Sequence, residues 1–182
     1  MSSNPSALVI GVAHPDARGA ENDALEVASD LLCNGWTVTL LSGDDATLER
    51  VFSLKATVCW FSGECGKTER LQLADTTIGP RFLALGRALT VFDCCRVGGM
   101  LKPGCGRSNV MCATSMLNWN ESDGSSIFSH ALRAQLATSC SLFSKSAPYY
   151  SVETLRCIAT WMSIWCDRNN PTHRQAPIIG KL

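Results

Sequence analysis

Leu89-Thr90-Val91-Phe92-Asp93-Cys94-Cys95-Arg96-Val97-Gly98 opens on a short run of apolar and β-branched residues and closes on a polar, glycine-ended turn. The run has the length and composition of a buried strand, and the turn is where its carboxyl end would leave a sheet. Working outward, a helix is expected near residues 81–88 and a polar loop over 62–80, preceded by a strand at 57–61 (Thr57-Val58-Cys59-Trp60-Phe61). Further upstream lie a short helix at 45–54, a strand at 36–41, a helix at 22–34 and a continuously apolar first strand at 7–12. In the 22–34 segment Leu25, Ala28, Leu31 and Leu32 recur at helical spacing, and Asn34-Gly35 is a helix stop. Downstream, a Gly-rich stretch at 98–107 leads to a strand at 109–113, helices at 126–137 and 152–166, and a sixth strand around 177–179. Strands alternating with helices require crossover connections. The fold class is therefore α/β, a mainly parallel six-stranded sheet with helices on both faces.

The whole composition agrees with a folded globular chain. At 182 residues one domain is expected, and 46% hydrophobic against 18% charged residues is enough to bury a core. Lys+Arg 16 balances Asp+Glu 16, so no net field draws the chain to nucleic acid or to an anionic membrane, and neither is expected as a partner. No apolar run approaches the ~18 residues of a membrane span. The opening Met1 to Ser6 lacks basic residues and a cleavage site, which makes the cytoplasm the expected compartment. The ten cysteines show no CxxC spacing and read as reduced thiols that pack as small hydrophobes.

In a parallel sheet, ligands sit beyond the carboxyl ends of the strands. Three loops should converge there, at 13–21, 62–67 and 94–99. Cys65, Cys94, Cys95 and Cys105 then fall on one side of the sheet, but adjacent Cys94 and Cys95 point to opposite faces and no paired ligand spacing appears. Asp44, Asp45 and Asp75 lack the close spacing of a calcium site. No metal and no cofactor are expected. Of the three histidines only His14 lies on a convergent loop, while His130 and His173 read as ordinary helix and surface residues.

Five segments carry a family resemblance: Phe61-Ser62-Gly63-Glu64-Cys65-Gly66, Asp93-Cys94-Cys95-Arg96-Val97-Gly98, Arg18-Gly19-Ala20-Glu21-Asn22-Asp23-Ala24, the stretch from Asn120 to Ser129, and Gln175-Ala176-Pro177. In combination they resemble the metacaspases and orthocaspases, caspase-fold cysteine peptidases, over almost the whole chain. The resemblance implies a three-layer caspase-like (caspase-hemoglobinase) fold. It also implies a single domain over 1–182, with a large-subunit-like segment at 1–107 and a small-subunit-like segment at 108–182. Cys95 takes the nucleophile position and Glu64 the position of the catalytic histidine. Cys65 stands where the family has Gly, and Val97 where Ser is usual. Asp23 and Asp93 match acidic residues of the pocket for a basic substrate side chain. Read from the residues alone, Asp23 would cap a helix and Asp93 would accept from strand-end amides.

Glutamate at position 64 governs the functional expectation. An imidazole takes a thiol proton, stabilises the thiolate and returns the proton to a leaving amine. With reference pKa values of about 4.3 for Glu and 8.5 for Cys, the same transfer to a carboxylate is uphill by about 5.7 kcal/mol. The expectation is a metacaspase-like peptidase homologue with lost or impaired activity, a pseudoenzyme. It would bind a peptide or protein through its old cleft or pair with an active caspase-family relative. The alternative is a working cysteine endopeptidase cleaving after Arg or Lys, in which case Arg107-Ser108 is the candidate bond for self-cleavage.

Overall fold

The computed structural model describes residues 5–15, 17–102, 109–112, 126–137, 152–169 and 177–182. The Arg107-Ser108 bond, Cys105, His173, Gln175, Ala176 and residues 120–125 lie outside these. Five parallel pairing partners and one antiparallel edge make the main sheet. In chain order these are β1 (Ser6–Gly11), β2 (Thr37–Ser42), β3 (Val58–Ser62), then β6 (Leu89–Asp93), β7 (Asn109–Cys112) and β8 (Ile178–Gly180), and their spatial order is β2-β1-β3-β6-β7-β8. β8 alone runs antiparallel, against β7. The helices are α1 (Ala20–Cys33), α2 (Leu48–Ser53), α3 (Pro80–Ala84), α4 (Ile127–Ala137) and α5 (Val152–Asn169).

The period of two along each strand builds two separate cores. Ala7 and Val9 of β1, Val58 and Trp60 of β3, and Leu89 and Val91 of β6 face α1, α4 and α5, where Val27, Leu31, Phe128 and Ala131 meet them. The alternate residues Leu8, Ile10, Cys59, Phe61 and Phe92 face α2 and α3, packing on Val51 and Leu83. Both faces are apolar, which is why these strands read as unbroken hydrophobic runs. Gly11 ends β1 beneath α1. A Cβ there would lie 2.6 Å from Ala24 Cβ and 2.9 Å from Ala20 O, so only glycine lets the helix cross this close.

The structure moves several expected boundaries. Trp36 precedes β2 and is buried in the α1-side core. α1 starts at Ala20, and Gly35, with φ 77, follows its Asn34 cap. α3 ends at Ala84, short of the expected 88, because Gly86 turns the chain at φ 75. The expected polar loop at 62–80 contains a two-stranded antiparallel hairpin, β4 (Leu71–Gln72) and β5 (Thr77–Ile78). Two-residue strands are too short to show alternation. Their fixing contact is tertiary: Leu71, Leu73 and Ile78 seal the α2/α3-side core.

Candidate active site

The strand order places a crevice where β1 and β3 send their crossovers in opposite directions, the usual ligand position of an open α/β sheet. β3 and β6 are neighbours with Ser62 opposite Asp93, so the loops carrying Glu64 and Cys95 leave the sheet side by side. The Gly63 amide donates to Asp93 O at 3.4 Å and the Val12 amide to Ser62 O at 3.0 Å, which holds these strand ends together.

At this edge the Cys95 sulfur lies 3.9 and 4.0 Å from the two carboxylate oxygens of Glu64 and 3.5 Å from the carbonyl of Cys65. Cys95 is half-buried. Burial, and then the Glu64 carboxylate, push its thiol above the ordinary range, against weaker opposing effects from the Cys65 backbone and Arg96. The following residue, Arg96, sits in the left-handed region at φ 69, an uncommon conformation for a side chain of this size. It turns the chain from β6 into the 3-10 turn Val97–Met100, with Cys94 buried and Cys95 half-buried. The arrangement can hold a protonated thiol next to a carboxylate. Burial and the carboxylate outweigh the Arg96 guanidinium, so the thiol is not driven to the thiolate.

Asp93 and Asp23 converge on one residue, Ser126. The Ser126 hydroxyl donates to Asp93 Oδ1 at 2.6 Å, the Ser129 hydroxyl donates to Asp93 Oδ2, and the Ser126 amide donates to Asp23 Oδ2 at 2.9 Å. Ser126 Oγ also accepts from the Phe128 amide at 3.1 Å, so it caps α4 while anchoring it to β6 and α1. All four side chains are buried. Ser126 and Ser129 were absent from the sequence-based site; two hydroxyls three apart at a helix start were the available signal.

The other candidates make local contacts of their own. The His14 backbone pairs with that of Ala17 within its loop. Asp75 Oδ1 accepts from the Leu48 amide at 3.0 Å at the start of α2, and Asp45 pairs with Arg50. Among the described residues one group, Asp23, Glu26 and His130, brings its ligand atoms within 4.8 Å of one another. Glu26 there also pairs with Arg133, which reaches Asp30 at 2.8 Å. No helix among the described residues is long and apolar enough to cross a membrane.

No protein-family model matches the chain, and no curated protein matches it. Solved structures do. Caspase-1 from Spodoptera frugiperda superposes with a TM-score of 0.63 at 17% identity, over 98% of this chain and 86% of that one. A Geobacter sulfurreducens protein gives a TM-score of 0.64 at 15% identity, over 97% of this chain and 92% of that one. The structure described as pro-Sf-caspase-1 gives 0.57 at 16%, over 98% and 92%. The six mostly parallel strands, the helices on both faces and these likenesses define the chain as a caspase-like α/β fold.

Proposed function

We propose that this chain is a metacaspase-like cysteine peptidase homologue whose hydrolytic activity is lost or severely reduced. In this reading Cys95 occupies the nucleophile position and Glu64 the position of the catalytic base. The observation that carries the reading is the Glu64 carboxylate at 3.9 Å from the Cys95 sulfur. A carboxylate there favours the protonated thiol, and as an acid it is too weak a proton acceptor to activate it. Asp93 and Asp23 supply the negative charge of a former pocket for a basic side chain, with Ser126 and Ser129 bonded to them. The retained function is binding, of a peptide or protein in the old cleft or of an active caspase-family relative, with neither nucleic acid nor membrane as partner.

Purified protein is incubated with fluorogenic peptides ending in Arg or Lys, with and without calcium, beside Cys95→Ala. The expected result is no turnover above the Cys95→Ala control. Turnover in the parent that vanishes in Cys95→Ala would overturn the proposal and establish an Arg- or Lys-directed endopeptidase.

A further inference from the structure

Two rows of polar side chains meet where α4 packs on α1. Asp23, Glu26 and Asp30 follow one another at helical spacing along α1, and Ser126, His130 and Arg133 do the same from the start of α4. The Ser126 amide donates to Asp23 at 2.9 Å, and Arg133 pairs with Glu26 and, at 2.8 Å, with Asp30. Between these ties, ligand atoms of Asp23, Glu26 and His130 all lie within 4.8 Å of one another. We propose that Asp23, Glu26 and His130 form a site for one divalent transition-metal ion, Zn²⁺ by its ligand chemistry, that clasps α1 to α4. The inference does not rest on the peptidase reading, since neither Cys95 nor Glu64 is a ligand and its test measures metal rather than hydrolysis.

The donor set selects the ion. Ca²⁺ and Mg²⁺ take oxygen ligands, whereas an imidazole beside two carboxylates suits Zn²⁺. The two carboxylates also cancel the charge of a divalent ion, which matters because Asp23 is buried and an uncompensated charge there is costly. Around a tetrahedral ion with bonds of about 2.0–2.2 Å, ligand atoms stand about 3.4 Å apart. A 4.8 Å spread therefore has to tighten by about 1.4 Å at most. Glu26 and His130, both only partly buried, supply that movement. His130 reads from its own segment as an ordinary helix residue, and only its neighbours on α1 make it a ligand.

The frame around the site is held by bonds of its own. Ser126 serves both helices, because its amide donates to Asp23 and its carbonyl accepts from the His130 amide at 3.1 Å. Access is from a cavity of about 480 Å³ lined by His130, Arg133, Asp30 and Trp165. Three protein ligands leave the fourth position of a tetrahedral ion to water from this cavity. Arg133 is the competitor: its guanidinium holds Glu26, and its positive charge opposes a cation beside it. Cys33 lines the same cavity and is exposed, so it has to be excluded as the ligand.

The test titrates chelator-treated, reduced protein with Zn²⁺ at pH 7.5 in an isothermal calorimeter. One equivalent is expected to bind. Affinity should fall about 100-fold in His130→Ala and in Glu26→Gln, rise in Arg133→Gln, and stay unchanged in Cys33→Ser. No saturable binding, binding unchanged in a folded His130→Ala, or binding lost in Cys33→Ser would overturn the proposal. Should His130→Ala fail to fold, the imidazole resonances decide, because the chain has three histidines. The imidazole that shifts with one equivalent of Zn²⁺ should still do so in His14→Gln and in His173→Gln. A shift that disappears in either variant would also overturn the proposal.

Discussion

At Cys95 the decisive quantity is the proton on sulfur. Burial and the Glu64 carboxylate both favour the neutral thiol, so removing the negative charge lowers the thiol pKa and moves the onset of alkylation to lower pH. Glu64→Gln is therefore expected to speed iodoacetamide alkylation of Cys95 about 3- to 10-fold at pH 7.5, read by mass spectrometry of the 88–96 peptide. An unchanged or slower rate in a folded variant would remove Glu64 from control of the thiol. Glu64→His goes further, because an imidazole both accepts the proton and pairs with the thiolate. It was legible in the sequence that positions 64 and 95 lie on adjacent loops, through the strands at 57–61 and 89–93. That the carboxylate points at the sulfur was not legible, since the direction of a side chain in a loop depends on what packs beneath it.

Between elements, the tie of β6 to α4 rests on Asp93. Its two oxygens take the hydroxyls of Ser126 and Ser129, and all three side chains are buried. Truncating the carboxylate strands two buried hydroxyls and weakens the α4 cap in the same step. Asp93→Ala is expected to cost about 3 kcal/mol in urea denaturation, with the loss concentrated in hydrogen-exchange protection of α4. A cost below about 1 kcal/mol would show that the serines re-pair locally and that Asp93 is free for another role. The sequence marked Asp93 as a strand-end acid. Its serine partners lie over thirty residues away, and no local pattern connects them.

For the whole molecule, buried thiols make stability fall with alkaline pH. Burial raises both Cys59 and Cys112 to about 12, whereas in the unfolded chain such thiols ionise near about 8.5. Between those values the native state binds more protons than the unfolded state. The stabilisation is complete below about pH 8.5 and is lost as pH rises toward 12, at about 1.4 kcal/mol per pH unit for each thiol. Urea midpoints measured at pH 7, 9 and 10 should fall over the last two steps, and Cys59→Ala should flatten the slope even though it lowers stability at pH 7. A parallel decline in parent and variant would mean that other groups set the alkaline limit.

Hydrophobic periodicity determined the fold class by itself, because burying both faces of a parallel sheet demands unbroken apolar strands separated by amphipathic helices. The runs at 7–12, 57–61 and 89–93 state this without reference to one another. Local chemistry likewise marked the α1 stop at Asn34-Gly35. Tertiary structure decided what required two distant segments to meet. It set the antiparallel direction of β8 against β7, the β4–β5 hairpin whose apolar residues close a core, and the convergence of Asp23 and Asp93 on Ser126. The reason is physical: strand and helix periods are properties of neighbours along the chain, whereas a hydrogen bond between loops depends on register across the sheet, and only the folded molecule fixes that register.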